Sequence, residues 1–181
     1  MRAYGHEIRN VLILACTEAE ALWKRVLSAN GAKGKKTRHY AVLSQALKLP
    51  AYSVNFPYYP WLQPVTPYER WGSTNSTTKD LPWYFAYNQV KHDRATNFSE
   101  ATLERTFQAL AGCFVMLCSE HGSDFALAGE AANRAFLRLI ESPKWDPSEV
   151  YVPPYRTTLK SKNFLFRNSP VPQKTVLAVQ N

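Results

Sequence analysis

Cysteine is scarce in this sequence, with three residues among 181. Cys113 and Cys118 are five positions apart and share no helical face, while Cys16 lies far from both. The number is odd and no CxxC pair occurs, so we expect buried free thiols in a reducing compartment. Three of the four histidines are also far apart without ligand spacing. We therefore expect no metal and no cofactor.

Long apolar runs are absent as well. No segment approaches the roughly 18 apolar residues that a membrane-spanning helix needs. The first residues, MRAYGHEIRN, lack the apolar region of a signal peptide. We expect a soluble, cytoplasmic protein with no membrane partner. GxSxG, P-loop, GxGxxG and HExxH signatures are missing too, so no standard catalytic motif suggests a reaction.

The sequence is rich in positive charge. It has 22 Lys and Arg against 14 Asp and Glu, a formal charge of +8 and a pI near 9.5. This balance favours an anionic partner, most often nucleic acid, although it also simply aids solubility. With 45% apolar residues, a chain of this length is expected to form one domain with an ordinary core.

Apolar residues recur at i, i+3 and i+4 along most of the chain, which predicts an all-α fold. The predicted helices span residues 4–29, 40–49, 81–94, 99–120 and 123–141. Asp80 is expected to cap the third of these and Ser99 the fourth.

Residues 51–79 differ from the rest in composition. Four prolines stand among Tyr, Phe and Trp residues, and prolines forbid a regular helix and interrupt strand ladders. We predict an ordered aromatic loop, inserted in a helical domain of residues 1–149. Residues 150–181 contain five Lys and Arg and no acidic residue, which predicts a basic, extended tail that packs on the domain or on a partner.

The helix predicted over residues 81–94, LPWYFAYNQVKHDR, carries the most suggestive chemistry. Asn88, Lys91 and His92 are spaced i, i+3, i+4 and project from one face. His92 could act as a general acid or base, and Lys91 and Arg94 could hold a phosphate that Asn88 positions. The competing interpretation is structural, with a histidine near a helix end that pairs with local groups.

A second cluster of positive charge follows the first helix, in GAKGKKTRHY. Lys33, Lys35, Lys36 and Arg38 could contact phosphate, or could belong to an ordinary solvated loop. On the first helix, the polar residues form a solvated face. Glu18 or Glu20 could instead reach inward to a site shared with the Asn88–His92 face.

Three segments together resemble the HEPN superfamily over roughly residues 4–120: EIRNVLILACTEAEALWKRV, the aromatic and proline-rich connection, and WYFAYNQVKHDR with the apolar helix after it. The resemblance implies an all-α, four- to five-helix bundle, usually a homodimer. Many members are metal-independent RNases of toxin–antitoxin or defence systems, and others bind RNA, nucleotides or protein partners. Active members carry an Arg with a His four to six residues later. His92 matches that His, and Asn88 stands near the place of the Arg.

Two functional hypotheses follow. The first is a HEPN-like protein that binds RNA or nucleotides, or interacts with an antitoxin-like protein partner. The alternative is a metal-independent endoribonuclease that uses His92, with Asn88 and Arg94 beside it. Lys91, Lys33, Lys35, Lys36 and Arg38 are the predicted phosphate-binding residues in both.

Overall fold

The computed structural model describes residues 1–93, 95–122 and 136–146. Its helices are α1 (His6–Ala29), α2 (Thr37–Tyr40), α3 (Val42–Ala46), α4 (Pro82–His92) and α5 (Leu103–His121). Two single 3-10 turns, Leu49–Ala51 and Phe98–Glu100, and two strands, β1 (Ser53–Asn55) and β2 (Arg138–Glu141), complete the elements. This part of the chain is mostly helical, which is compatible with the predicted all-α class. None of its helices is long and apolar enough to cross a membrane.

The two long helices, α1 and α5, lie side by side and run in the same direction. Near their first turns, the Thr106 hydroxyl donates to the Ile8 carbonyl at 3.3 Å. Farther along, the Cys113 thiol donates to the carbonyl oxygen of Ala15 at 3.0 Å. Near their ends, Arg25 and Glu120 form an ion pair at 2.6 Å. This parallel pair is the framework on which the other elements pack.

Helix α4 runs antiparallel to α1. Tyr84, in its first turn, reaches Glu20 in the second half of α1. The chain after α4 brings Phe98 back to the start of α1, where its ring lies 4.9 Å from the His6 ring and 5.5 Å from the Arg9 guanidinium carbon. The helix predicted over residues 81–94 therefore forms, and it packs on α1.

The core is aromatic and is centred on Trp23 of α1, which is fully buried. Its ring lies near those of Trp71, Tyr84, Tyr40, Trp83 and Tyr68, at centroid distances of 4.7, 5.1, 5.8, 6.0 and 6.4 Å. Removing a ring packed in this way typically costs about 3–5 kcal/mol. The aromatic loop, which the sequence predicts to be ordered, thus supplies residues of the core itself.

Two of the buried indole N–H groups in this core have hydrogen-bond acceptors, whereas that of Trp71 has none among the described residues. The Trp23 indole N–H donates to the Tyr68 hydroxyl at 3.2 Å, and that hydroxyl donates to the Gly112 carbonyl of α5 at 3.1 Å. The Trp83 indole N–H donates to the Pro67 carbonyl at 3.0 Å. Because a buried donor without a partner is costly, these bonds fix the loop against α1, α4 and α5.

The aromatic loop also contains a strand, which the prediction of an irregular loop missed. β1 pairs with β2 in antiparallel register, with Val54 opposite Leu139 and Asn55 opposite Arg138. Val54 also exchanges two backbone hydrogen bonds with Val65, at 2.9 and 2.7 Å. β1 lies before the first proline of the loop, so its amide groups remain free to pair.

The predicted helix over residues 123–141 is wrong at its end. Arg138–Glu141 forms β2, because pairing with β1 outweighs the local helical pattern. The remainder of that prediction, residues 123–135, and the predicted tail over residues 150–181 lie outside the described residues.

Both predicted caps are also wrong. Leu81, not Asp80, occupies the N-cap position of α4, and the Asp80 carboxylate instead accepts bonds from the loop before it. Helix α5 starts after Thr102 rather than Ser99, with the Thr102 hydroxyl accepting from the Arg105 amide at 3.3 Å. Ser99 belongs to the preceding 3-10 turn.

The single helix predicted over residues 40–49 is replaced by shorter elements. α2 and α3 are separated at Ala41, and Lys48 then adopts a left-handed conformation, with a φ of 49°, before the 3-10 turn at Leu49–Ala51. The cysteines are free thiols, as predicted. Burial raises the pKa of Cys113 and of Cys118 to about 12, so both remain neutral at ordinary pH.

Replacing Gly112 by alanine tests the close approach of α5 to the aromatic core. A Cβ at this position would lie 3.1 Å from Cζ2 of Trp83 and 3.3 Å from the Tyr68 hydroxyl. We expect Gly112→Ala to lower the free energy of unfolding by about 1–2 kcal/mol, because overpacking exceeds the gain in helix propensity. Urea denaturation measures this, with Gly5→Ala as the control, since a Cβ there meets no atom within 4 Å. Equal stability of the two variants would contradict the packing argument.

Candidate functional site

The predicted site residues of α4 lie along its exposed side near its C-terminal end. Lys91 and His92 are exposed and Asn88 is half-buried. The Asn88 amide nitrogen donates to the Tyr84 carbonyl one turn back, at 2.9 Å. Within the described residues, no hydrogen bond joins the side chains of Asn88, Lys91 and His92 to one another. Arg94 lies outside the described residues.

Lys91 is held in place by Tyr87, which the sequence analysis did not single out. The Lys91 ammonium donates to the Tyr87 hydroxyl at 3.1 Å and lies 5.1 Å from the centre of its ring. The hydrogen bond to Tyr87 raises the pKa of Lys91, and burial opposes the rise. The negative charge of Glu20 contributes a smaller increase to the same pKa. Lys91 therefore presents a charged ammonium from a defined position.

Glu20 reaches inward from α1 toward this face, which was one of the two interpretations of the acidic residues on that helix. The Tyr84 hydroxyl donates to the Glu20 carboxylate. Burial is the main cause that raises the pKa of Tyr84, and the hydrogen bond and charge of Glu20 raise it further. The Tyr84 ring in turn lies 5.4 Å from the Tyr87 ring. Glu20, Tyr84, Tyr87 and Lys91 thus form a connected group between α1 and α4.

The basic loop, residues 32–39, packs against the end of α1. Gly34 makes this possible, because a Cβ at this position would lie only 3.0 Å from the His39 Cβ and 3.2 Å from Leu27 Cδ1. The Gly34 carbonyl accepts from the Tyr40 hydroxyl at 3.1 Å. The His39 Nδ1 accepts from the backbone N–H of Lys35, also at 3.1 Å. These bonds give the loop a defined conformation.

The cations of this loop point to solvent. Its exposed side chains are Lys33, Lys35, Lys36 and Arg38. None of the four forms an ion pair with any residue that the structure describes. Arg38 Nε lies 3.4 Å from Nε2 of His39, but a neutral His39 that accepts at Nδ1 carries its proton on Nε2. The Arg38 contact is therefore not a hydrogen bond.

The basic loop meets α4 in the first half of that helix. Thr37 of α2 lies close enough to Tyr84 to oppose the rise in its pKa. His92 is eight residues farther along α4, which corresponds to about 12 Å of helix axis. The contact with the loop and His92 therefore lie toward different ends of α4, with Lys91 near the His92 end.

Among the described ranges of the chain, no three His, Cys, Asp or Glu side chains are grouped as metal ligands. No protein-family model, curated protein or solved structure matches the chain. The relationship to the HEPN superfamily therefore stays a prediction from the sequence segments that suggested it.

Sequence reasoning missed Tyr84 and Tyr87 as part of this group. A signal for Tyr87 exists, since Tyr87 and Lys91 are spaced i, i+4 and such pairs meet on a helix. No comparable signal exists for Tyr84 and Glu20, which are 64 positions apart and meet only through the packing of α4 on α1.

The bond between Tyr84 and Glu20 can be tested by removing the hydroxyl. We expect Tyr84→Phe to lower the free energy of unfolding by about 1–2 kcal/mol, because the half-buried Glu20 carboxylate loses its donor. Tyr87→Phe is the matched control, since its partner Lys91 is exposed and regains water, with a cost of at most about 0.5 kcal/mol. Urea denaturation of Tyr84→Phe, Tyr87→Phe, Glu20→Gln and the double variant Tyr84→Phe/Glu20→Gln measures the coupling energy between Tyr84 and Glu20. Additive effects of the two substitutions in the double variant would contradict a direct bond.

Proposed function

We propose that this protein binds RNA or a nucleotide through the surface that the basic loop and the exposed side of α4 form. One observation carries the proposal: a structured loop with four exposed cations meets α4, the helix on which Tyr87 fixes the ammonium of Lys91. Cations without acidic partners attract phosphate, and binding then releases the counterions of the nucleic acid. The resemblance to the HEPN superfamily supports the same class of ligand.

The arrangement of hydrogen bonds supports an anionic ligand in a second way. Lys91 uses one of its three N–H donors on Tyr87, which leaves two for a ligand. The Glu20 carboxylate nearby accepts from the Tyr84 hydroxyl, so it is already engaged within the protein rather than paired with Lys91. A ligand lying along α4 would meet the loop at one end and Lys91 at the other.

The HEPN-like assembly belongs to the same proposal. It would pair the chain with a second copy of itself and, in a toxin–antitoxin or defence context, with a protein partner. Exposed apolar side chains on α1 favour such pairing, with Val11 at 40% and Leu14 at 63% exposure.

The dependence of RNA affinity on salt tests the proposed surface. We expect the wild-type protein to bind single-stranded RNA with an affinity that falls steeply as salt rises. Each phosphate contact contributes about −0.7 to the slope of log affinity against log salt. Lys33→Ala/Lys36→Ala/Lys91→Ala should therefore flatten the slope by about 2. Fluorescence anisotropy with a labelled oligonucleotide measures both quantities.

The matched control is Arg2→Ala/Arg138→Ala/Lys144→Ala, which removes the same charge from exposed positions outside the basic loop and α4. It should change the slope by less than about 1, since only non-specific attraction is lost. Equal slopes for the two triple variants would contradict the assignment of the surface. Absence of binding by the wild type at low salt would reject RNA as the ligand.

The alternative function is metal-independent RNA cleavage, in which the 2′-hydroxyl attacks the neighbouring phosphate. His92 would act as acid or base, Lys91 and Arg94 would stabilise the phosphate, and Asn88 would position it. One observation favours this alternative: the His92 imidazole is exposed and forms no hydrogen bond within the described residues, so a substrate can reach it. The Asn88 side-chain oxygen also accepts no hydrogen bond within the described residues.

Incubation with total RNA in the presence of EDTA tests this alternative. If His92 is catalytic, the wild type cleaves RNA and His92→Ala loses about 100-fold or more in rate, as expected for a lost acid or base. His121→Ala, at the end of α5, is the matched control and should retain the wild-type rate. Cleavage by neither protein, or at the same rate by wild type and His92→Ala, would exclude a catalytic His92 and leave the binding function.

A further inference from the structure

A groove of about 500 Å³ lies on a different surface of the molecule, where residues 62–70 of the aromatic loop pass the first turns of α4 and α5. Its inner wall is apolar and contains Trp83 and Phe107, which are 1% and 5% exposed. The exposed side chains along its edge include Glu69, Arg70 and Glu104. The volume falls in the range of ligand-binding clefts in proteins.

The charge of this groove is opposite in sign to that of the whole chain. The three carboxylates that line it outnumber the two cations there, Arg70 and the Met1 amino group, while the chain carries +8. The Asp80 carboxylate is already occupied by the backbone N–H groups of Gly72 and Thr74, at 3.1 and 3.2 Å. The groove therefore attracts a cation and repels the phosphates that the basic loop would bind.

Two carboxylates remain to receive that cation. Glu69 forms no ion pair with a residue of the described ranges. Glu104 has a single ion-pair contact there, with the amino group of Met1 at 3.7 Å, and its side chain is half exposed. At that distance an exposed pair contributes little, so Glu104 can exchange this partner for another cation.

The surface beside the groove is aromatic and exposed. Trp61 is 70% exposed and Tyr58 is 67% exposed, the two highest values among the large apolar side chains of the described residues. The Tyr59 ring fixes Trp61 from one side, at 5.7 Å edge to face. Tyr59 itself lies 5.0 Å from the ring of Phe107, which lines the groove. The exposed indole is therefore linked to the groove wall through the Tyr59 ring.

We propose that this groove and the adjoining rings of Tyr58 and Trp61 bind a peptide segment of a protein partner that carries arginine or lysine next to apolar residues. Glu69 and Glu104 receive its cations, and Trp61 covers an apolar side chain or a guanidinium plane. Exposed Trp and Tyr side chains are typical anchors of protein interfaces, because they bury a large area for a small loss of side-chain conformational entropy.

Charge and size together favour a peptide over other occupants. A nucleic acid would place its phosphates against Glu69 and Glu104, which costs free energy without compensation. A small molecule held inside the groove would leave Tyr58 and Trp61 uncovered. An extended basic segment can occupy the groove and continue across both rings. This inference does not depend on the proposed RNA-binding surface.

Tryptophan fluorescence of the full chain provides the test. Trp61 is the most exposed of the described tryptophans, so acrylamide quenches it preferentially. The probe is a short synthetic peptide in which arginines alternate with leucines and prolines. We expect it to bind with micromolar affinity and to protect Trp61 from quenching. The Trp61→Phe variant identifies the part of the signal that belongs to this residue.

Charge reversal of the groove gives the decisive comparison. Glu69→Lys/Glu104→Lys should raise the dissociation constant of the peptide by about tenfold or more. Glu18→Lys/Glu141→Lys changes the same number of exposed charges elsewhere and should stay within about twofold. An equal loss in both variants, or equal binding of a peptide with glutamate in place of arginine, would overturn the proposal. So would the absence of peptide binding, or a loss of RNA affinity in Trp61→Ala, which would assign the rings to nucleic acid.

Discussion

The burial of Trp23 is the constraint on which the rest of the structure depends. Its ring is surrounded by five aromatic rings that come from α2, from the aromatic loop and from α4. Its indole N–H begins the hydrogen-bonded chain through Tyr68 to Gly112, which extends the same interaction to α5. Because the donor must be paired as well as buried, the loop has one position against the helices that satisfies both requirements.

This core also explains where polar groups reach the surface. Tyr84 packs its ring on Trp23 while its hydroxyl bonds to Glu20, and Tyr87, whose ring packs on Tyr84, bonds to Lys91 through its hydroxyl. In another part of the structure, Phe107 contacts Tyr59, which in turn contacts the exposed Trp61. A basic surface and an acidic groove are thus attached to one aromatic core. The two can therefore serve two different partners, an anionic one and a cationic one.

Much of the helical architecture could be predicted, and the failures have a common cause. The bounds of α1, α4 and α5 differ from the predicted ones by a few residues, because a long apolar stripe is a strong local signal. Asp80 and Ser99 were plausible caps. However, the Asp80 carboxylate accepts from the Gly72 N–H instead, and Thr102 caps α5 near the contact of α5 with α1. Residues 138–141 form β2 rather than the end of a helix because they pair with β1, and local propensity does not predict pairing between distant segments.

Local sequence patterns were enough to predict the three long helices, the positive charge of the chain, an ordered aromatic loop and the positions of Lys91 and His92 on α4. These features depend on residues close together in the chain, so spacing and composition reveal them. Packing between distant segments sets the contact of Glu20 with Tyr84, the contact of the basic loop with α4, and the groove that Glu69 and Glu104 line. Each of these joins elements distant in sequence, whose meeting is set by the packing around Trp23.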